Sequence, residues 1–264
     1  MKLVVVIPTY NEAANIDQML KRVLAVDPGY HVLVVDDNSP DGTARIVAER
    51  ARHEERVHLL LRSHERGFGT AVRDGFHEAL QLGTPLIGEM DADGSHDPAM
   101  FPVMSALIER GDADVVIGSR YLQDSKIHGW GLFRYANSHV AGALARLVAP
   151  VPVADATNGL RLFRREVLET LDLGRLLSRG YSVILETNYR SYRAGFRLTE
   201  VPITFHPRAG GTSKMGLREI LRFCWFLLRL RFDAKPQASY SSTCSEAQMA
   251  RSTGSVVSDS KSLV

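Results

Sequence analysis

The chain has 264 residues, of which 45% are hydrophobic, and its mean hydropathy is −0.09. This composition fits a soluble globular protein built around one large domain. The 32 Lys and Arg residues nearly balance the 30 Asp and Glu residues, and the net charge of +2 argues against a nucleic-acid-binding protein. The two cysteines, Cys224 and Cys244, form neither a metal-ligand spacing nor a disulfide framework, which favours a reducing, cytosolic setting.

The N-terminal sequence MKLVVVIPTYNE predicts a β-strand rather than a signal peptide. Its apolar run extends only from Leu3 to Ile7, shorter than the roughly 7–15 residues of a signal-peptide core, and no small-residue cleavage site follows. No stretch reaches the roughly 20 apolar residues that are needed to span a bilayer. We therefore expect neither a targeting segment nor a transmembrane helix.

Short apolar runs rich in β-branched residues alternate with helical patterns through the first half of the chain. This alternation predicts an α/β fold, a single Rossmann-like domain whose mainly parallel central sheet is covered by helices on both faces. The predicted strands are 3–9, 31–37, 56–62, 85–93 and 113–121, and the predicted helices are 16–24, 41–54, 69–82 and 97–111.

The second half of the chain is less regular. After a predicted loop over 123–131, the patterns predict helices at 134–148, 164–172 and 182–195 and strands at 159–163 and 197–205. From about residue 234 the sequence is rich in Ser and poor in large apolar residues. Because such a segment has too little apolar surface to bury, we expect a disordered tail.

Polar clusters follow three of the predicted strands at the point where each strand ends. PTYNE closes the first strand, DDNSPDG closes the second and DADGSHD closes the fourth. The carboxyl ends of parallel strands meet at one edge of an open sheet, and ligands bind in the crevice there. The three clusters therefore predict one shared binding site.

Asp91 and Asp93 are the strongest candidates for chemistry at this edge. They are one residue apart, so their side chains share a face in extended geometry. Paired carboxylates are suitable ligands for Mg²⁺ or Mn²⁺, which proteins hold with one or two carboxylates and the phosphates of the substrate. The alternative is an ordinary polar turn, because Asp is common in turns.

A dinucleotide-binding fold is not favoured. The fingerprint G-x-G-x-x-G should follow the first strand, but the sequence there is PTYNEAAN. The glycine-rich stretch RGFGTAVRDG (66–75) follows the third strand, and no P-loop pattern occurs. A hydride-transfer enzyme is therefore not indicated.

The motifs VVIPTYNE, VVDDNSPDGT, EMDADGSHDP and VIGSRY, in this order, resemble those of the family 2 glycosyltransferases with the GT-A fold. Within that family the chain is similar to the dolichol/polyprenol-phosphate mannose synthases. The segments DATNGLRLFRREVL (155–168) and EVPITFHPRAGGTSKM (200–215) extend the similarity, which covers about residues 2–232. Any one of these motifs is modest evidence, whereas six in the same order are specific.

The resemblance implies transfer of mannose from GDP-mannose to the phosphate of a polyprenol, with inversion and with Mg²⁺ or Mn²⁺ as cofactor. Asp91 and Asp93 would ligate the metal, and Asp91 would also contact the donor. Position 95 would supply a third ligand; family members often carry Gln there, and because Ser95 reaches less far, a water could intervene. The guanosine would be held by Pro8, Tyr10, Glu12 and Asp37, and the diphosphate and acceptor phosphate by Arg120, Arg134, Arg208 and Lys214.

Each of these residues also has an ordinary structural explanation. Glu12 suits the first turn of a helix, where the helix dipole favours an acid, and Asp37 suits a turn. Arg120 could be a surface arginine, and Lys214 could be a solvated loop residue. His96, beside the carboxylates, could be either a ligand or a structural histidine. The chain also departs from the family at Asn158, where Ser is more usual.

The segment 217–231, LREILRFCWFLLRLR, predicts an amphipathic helix that reaches the membrane surface where a polyprenol acceptor lies. Six Lys and Arg residues but only one acid occur over 205–232. The alternative is a helix packed against its own domain. A separate membrane-spanning partner protein is a further alternative. One side of the helix carries Leu217, Ile220, Leu221, Cys224, Trp225 and Leu228.

The sequence thus predicts a glycosyltransferase domain over 1–232 and a disordered tail over 233–264. Within the domain, 1–121 would bind the nucleotide sugar, 122–216 would bind the acceptor, and 217–232 would be the interfacial helix. The expected location is cytoplasmic, peripheral on the cytoplasmic face of the membrane. The rival functions are a polyprenyl-phosphate glucosyltransferase that uses UDP-glucose, a metal-dependent nucleotidyltransferase, and a non-enzymatic nucleotide-binding module.

Overall fold

The computed structural model describes residues 1–129, 142, 149–206, 226–227 and 229–230. A seven-stranded sheet runs through the centre of this part, in the order β3-β2-β1-β4-β7-β5-β8. The strands are β1 Leu3–Thr9, β2 Tyr30–Asp36, β3 Val57–Leu61, β4 Leu86–Glu89, β5 Val115–Ser119, β6 Lys126–Ile127, β7 Arg161–Arg164, β8 Leu198–Pro202 and β9 Thr204–Phe205. The helices are α1 Ile16–Leu24, α2 Thr43–Ala51, α3 Phe68–Gln81, α4 Phe101–Glu109, α5 Arg165–Thr170 and α6 Ser182–Arg193.

Strand directions confirm the predicted mainly parallel α/β sheet. Strand β7 runs antiparallel to both of its neighbours, β4 and β5, and all other neighbouring strands in the sheet are parallel. Strands β6 and β9 form a separate parallel pair. The carboxyl ends of β1, β2 and β4 therefore lie at one edge, as the polar clusters predicted.

Alternate residues of the strands enter two cores, one on each face of the sheet. Val4 and Val6 of β1 belong to one hydrophobic cluster, whereas Leu3, Val5 and Ile7 belong to the other. Because successive strand side chains point to opposite faces, an uninterrupted apolar run requires helices on both faces. Helix α1 buries the face predicted from its periodicity, and it packs in the same cluster as Leu3.

Helix α3 lies unusually close to the sheet at Gly75. A Cβ atom at this position would lie 2.5 Å from Cγ1 of Val6 and 2.8 Å from Cγ2 of Val35. Only glycine permits this approach without displacing side chains of β1 and β2. The glycine-rich stretch that follows the third strand is therefore, at this position, a packing feature.

Three of the differences from the sequence prediction change the strands around the site. Strand β4 ends at Glu89 rather than residue 93, because a turn held by side-chain hydrogen bonds follows it. The predicted strand 197–205 is divided into β8, which ends at Pro202, and β9. Pro202 has no N–H for a further hydrogen bond in the central sheet, and β9 pairs with β6 instead. Strand β6 itself lies in the segment predicted as a loop.

The predicted helices 134–148 and 217–232 lie mostly outside the described residues. Residue 142 is helical, as are residues 226–227 and 229–230. Phe226, Leu227 and Leu230 are buried in the same core cluster as Val4, whereas Arg229 is exposed. These four residues fit the alternative of a helix packed on its own domain. Among the described residues, no helix is long and apolar enough to cross a bilayer.

Candidate active site

Strands β1 and β2 end side by side at the site. Thr9 is in register with Asp36, and its Oγ1 donates a hydrogen bond to Oδ2 of Asp36 at 2.8 Å. The backbone N–H and the hydroxyl of Ser39 also donate to this carboxylate, at 2.8 and 2.6 Å. Asp36 therefore fixes the turn that follows β2, in line with the frequent role of Asp in turns.

Asp37 is buried and joins the end of β2 to the loop that follows β3. Its Oδ1 accepts a hydrogen bond from Nη1 of Arg62, and its Oδ2 accepts one from the backbone N–H of Gly67 at 2.8 Å. Arg62 is also buried and donates to Oδ2 of Asp74 at 2.9 Å and to Oγ1 of Thr70 at 2.8 Å. Guanosine binding by Asp37 remains a prediction, but its contacts in the structure hold the 62–70 loop.

The residues after β1 form the outer part of this edge. Tyr10 is 48% exposed, and Cζ of Arg66 lies 5.5 Å from the centre of its ring. Glu12 accepts a hydrogen bond from the amide nitrogen of Asn15 at 2.8 Å, and its backbone N–H donates to Thr43. Pro8 is partly buried within β1. These residues lie together at the predicted donor edge, and their contacts with guanosine stay predictions.

Asp93 is held by Ser95. The backbone N–H and the hydroxyl of Ser95 both donate to Oδ1 of Asp93, at 3.0 and 2.6 Å. Asp93 is only 7% exposed, and Ser95 is fully buried. Ser95 thus acts as a hydrogen-bond donor that orients the Asp93 carboxylate, and its contact with a metal, direct or through a water, stays a prediction.

Asp91 lies between His96 and the backbone of Gly159. Its backbone N–H donates to Nδ1 of His96 at 3.3 Å. A Cβ atom at Gly159 would lie 3.5 and 3.6 Å from the two carboxylate oxygens of Asp91, which is ordinary van der Waals contact and places this part of the chain beside the carboxylate. His96 is buried, and burial lowers the pKa of its imidazole, which favours the neutral ring that can accept this hydrogen bond. His96 is therefore a structural histidine through Nδ1.

The carboxylates suit a hard divalent cation that the substrate helps to ligate. Asp91 keeps 26% of its side chain exposed beside the nearly buried Asp93. Among the described residues, no group of three or more His, Cys, Asp and Glu side chains is placed to hold a metal. Two carboxylates without a complete protein cage match the way Mg²⁺ is held when substrate phosphates supply the remaining oxygens. The residues present therefore fit Mg²⁺ or Mn²⁺.

Arg120 is neither a surface arginine nor a lone cation. Its Nε and Nη2 donate to the two carboxylate oxygens of Asp155 at 2.7 and 2.8 Å, and Nη2 also lies 3.2 Å from Oγ1 of Thr157. Burial alone would lower the pKa of Arg120, but the hydrogen bond and charge of Asp155 raise it. Asp155 is in turn oriented through its backbone N–H, which donates to Glu200 at 2.8 Å.

Sequence reasoning did not single out Asp155 or Glu200 as functional residues. Both lie in segments that contribute to the family resemblance, 155–168 and 200–215. A signal for Asp155 was present in the sequence, because it is the one charged residue in the stretch VPVADATNG (151–159). A lone carboxylate in such a stretch is a candidate partner for a cation such as Arg120. Through Asp155, the 155–159 loop is fixed between Arg120 and the Asp91 carboxylate.

The carboxylate of Glu89, inside strand β4, is explained by a buried ion pair. It is fully buried and paired with Arg161 of β7, whose Nη1 also donates to the carbonyl of Ile184 at 3.0 Å and to Asn188 at 3.2 Å. Burial raises the pKa of Glu89 to about 7, although the charge of Arg161 opposes this shift. This ion pair joins β4, β7 and α6 directly behind the Asp91 turn.

Asn158, the departure from the family pattern, is also buried. Its carbonyl oxygen accepts a hydrogen bond from the backbone N–H of Leu160 at 2.8 Å. Its amide nitrogen is buried and has no hydrogen-bond partner. The remaining predicted cations, Arg134, Arg208 and Lys214, lie outside the described residues.

Two solved structures with a similar fold are named as synthases that make glucosyl- and mannosyl-3-phosphoglycerate. Glucosyl-3-phosphoglycerate synthase from Mycobacterium tuberculosis, crystallised with Mn²⁺, UDP and phosphoglyceric acid, matches with a TM-score of 0.62 and 17% identity over 91% of this chain and 80% of its own. Mannosyl-3-phosphoglycerate synthase from Rubrobacter xylanophilus matches with a TM-score of 0.53 and 15% identity over 100% and 78%. At these identities the likeness shows the fold alone, which is the GT-A fold.

The sequence comparisons define the family. Residues 4–172 match Glycosyl transferase family 2. The polyprenol monophosphomannose synthase of Mycolicibacterium smegmatis is 40% identical over 215 residues, which are 81% of each chain. The undecaprenyl-phosphate mannosyltransferase of Micrococcus luteus is 38% identical over 215 residues, 81% of this chain and 88% of the relative. The chain belongs to glycosyl transferase family 2 and is a glycosyltransferase, as its motifs predicted.

Proposed function

We propose that this enzyme transfers mannose from GDP-mannose to polyprenyl phosphate, with inversion at the sugar, and releases GDP. The observation that carries the proposal is the 38–40% identity, over four-fifths of the chain, to two enzymes named for mannosyl transfer to polyprenyl phosphates. The Asp91 and Asp93 pair at the mouth of β4 supports it, because a nucleoside diphosphate leaving group requires stabilisation of developing negative charge.

In this proposal Asp91 and Asp93 hold Mg²⁺ or Mn²⁺. The bound cation would neutralise charge on the departing diphosphate. Asp93 is prepared for this role by Ser95, which donates two hydrogen bonds to one of its carboxylate oxygens. The backbone N–H of Asp91 donates a hydrogen bond to Nδ1 of His96, which holds the turn that carries the Asp91 carboxylate.

The acceptor would be the nucleophile. A phosphate monoester has a second pKa of about 6 and is therefore already largely ionised at neutral pH. The chain then needs cations to position it rather than a carboxylate base. Arg134, Arg208 and Lys214 are the proposed cations, together with Arg120, whose guanidinium is already oriented by Asp155.

The proposed location is the cytoplasmic face of the membrane, because the acceptor is a lipid. The segment 217–232 would reach the membrane surface through the side of the helix opposite to the buried residues. Phe226, Leu227 and Leu230 are buried in the core. In a regular helix with about 100° per residue, the centre of the predicted apolar side, at Leu217 and Leu228, would lie roughly opposite Phe226 and Leu230, whereas Leu227 would fall beside Ile220. A membrane-spanning partner protein is the alternative means of attachment.

The test is lipid labelling from paired donors. The full-length enzyme is incubated with a short polyprenyl phosphate, a divalent cation and either GDP-[¹⁴C]mannose or UDP-[¹⁴C]glucose. We expect organic-phase label from GDP-mannose, with competition by unlabelled GDP and not by UDP. Label from UDP-glucose, with competition by UDP, would replace the proposal with the glucosyltransferase. Absence of labelled lipid from either donor would refute both.

A further inference from the structure

Two histidines outside the carboxylate site are stacked on each other at its rim. His128 follows β6 and His206 follows β9, and their rings lie 5.6 Å apart, centre to centre, with 10° between their planes. Both residues are exposed. None of the residues that the structure describes forms a hydrogen bond or ion pair with either ring. The pair therefore presents its ring N–H groups to solvent.

Main-chain hydrogen bonds fix this pair relative to the candidate metal site. The backbone N–H of His206 donates to the carbonyl of Ser95 at 3.2 Å, and Ser95 in turn donates to Asp93. The backbone N–H of His128 donates to the carbonyl of Phe205 at 3.0 Å. The ring of Phe205 is buried and packs edge-on against His96 with their centres 5.7 Å apart. His206 is thus linked to the Asp93 carboxylate through two hydrogen bonds by way of Ser95, and His128 is held beside it by the neighbouring strand.

The chemistry of such a pair suits a phosphate group. An imidazole ring carries at least one N–H in either protonation state, so each ring can donate a hydrogen bond. Donors in two nearly parallel planes can reach two oxygens of one phosphate. Hydrogen bonds to a charged acceptor are also stronger than those between neutral groups. In the sequence, Arg208 stands two residues after His206, which adds a cation to the same segment.

From this geometry we infer that His128 and His206 form part of the acceptor-phosphate subsite and donate hydrogen bonds to the phosphate of the lipid. This inference rests on the proposed function, which makes a polyprenyl phosphate the acceptor. It assigns a role to two residues for which the family resemblance implied none. The alternative is a stacked pair that only stabilises the β6–β9 sheet.

The first arm of the test measures binding without catalysis. Imidazole signals of the full-length protein, loaded with Mg²⁺ and GDP, are followed by NMR at fixed pH while ligands are added. His128→Gln and His206→Gln assign the two signals. We expect both to shift with a short polyprenyl phosphate and with inorganic phosphate, and neither to shift with the corresponding polyprenyl alcohol. Imidazole signals that shift with the alcohol alone, or that shift with none of the three ligands, would overturn the inference.

The second arm measures the kinetics of the same variants. Loss of one donor to a charged acceptor should raise the KM for polyprenyl phosphate about tenfold, with the Kd of GDP and the melting temperature unchanged. His53→Gln is the matched control, because the side chain of His53 is 76% exposed and its Nε2 lies 3.4 Å from Glu49 of α2. A KM within twofold of the wild type in both variants would overturn the inference while mannosyl transfer stands. If the wild type transfers no mannose, the proposed function fails, and the NMR shifts still decide the role of the pair.

Discussion

The properties of Asp93 can be tested by removing its charge while keeping its shape. In Asp93→Asn the amide oxygen can still accept both hydrogen bonds from Ser95, so the turn should be preserved. The lost charge should weaken the metal site and leaving-group stabilisation together. We expect kcat/KM to fall at least about 100-fold, with an unchanged melting temperature.

A matched control is available for this variant. Asp112→Asn removes a carboxylate of the same kind from an exposed pair with Arg110 and should leave activity unchanged. Isothermal calorimetry with Mg²⁺ or Mn²⁺ in the presence of GDP would show weakened metal binding in Asp93→Asn only. Near-normal turnover of Asp93→Asn at low metal concentration would contradict the assignment.

At the scale of elements, strands β4 and β7 are joined by one buried ion pair. Removing a single partner of such a pair leaves an uncompensated buried group and typically costs about 3–5 kcal/mol. We expect Glu89→Gln and Arg161→Met each to lower the free energy of unfolding in urea by about this amount. The double variant should lose less than the sum, and an additive loss would show that the two side chains are energetically independent.

The pH dependence of Arg161→Met provides a second check on the same pair. Burial already raises the pKa of Glu89 to about 7 in the folded state, above its ordinary value of 4.5. A raised carboxyl pKa contributes stability at low pH that is lost as pH rises from about 4.5 through 7. Without Arg161 the shift should grow, so this variant should be less destabilised at pH 6 than at pH 8. Equal destabilisation at the two pH values would show that Glu89 stays ionised in the variant and would contradict this expectation.

Strands β2 and β3 carry a histidine pair remote from the site. Nδ1 of His31 lies 3.1 Å from Nε2 of His58, and burial lowers the pKa of both rings below 6.5. Proximity of the two rings adds to the shift of His31. A depressed histidine pKa contributes stability above pH 6.5 that is lost as pH falls, because the unfolded chain binds more protons.

We therefore expect His58→Gln to show a shallower loss of stability than the wild type between pH 6.5 and pH 5. The comparison is between urea midpoints of the two proteins across this range, with the exposed His53→Gln as the control. An identical slope in wild type and His58→Gln would contradict the assignment of acid sensitivity to this pair.

The part of the site that could be predicted from sequence is the part made of near neighbours. Asp91, Asp93 and Ser95 belong to one turn, and the apolar run before them fixes that turn at the end of a strand. The pairing of Arg120 with Asp155 spans 35 residues, and that of Glu89 with Arg161 spans 72. Such pairs depend on strand order, and the antiparallel insertion of β7 between β4 and β5 has no signature in local periodicity.

At the scale of the whole molecule, the C-terminal segments should differ in their contribution to stability. Deletion of 217–264 removes Phe226, Leu227 and Leu230 from the core, and losing buried side chains of this size costs about 2–5 kcal/mol each. Deletion of 235–264 removes only the Ser-rich tail. We expect thermal denaturation to show a large loss of stability for the longer deletion and none for the shorter one.

Activity on a short, water-soluble polyprenyl phosphate should follow the same pattern, with the 235–264 deletion fully active. A substantial loss of melting temperature on removing 235–264 alone would show that the tail is packed against the domain. That outcome would contradict the predicted boundary near residue 232.

The central claim is that an ionised lipid phosphate attacks the mannose of GDP-mannose and displaces GDP. ³¹P NMR of the reaction with a short polyprenyl phosphate tests it most directly, because every phosphorus-containing product is seen at once. We expect equal amounts of GDP and a mannosyl phosphodiester with β configuration. Release of pyrophosphate would indicate nucleotidyl transfer, and an unchanged polyprenyl monoester signal beside free mannose would show hydrolysis; either result would rule out mannosyl transfer to the lipid phosphate.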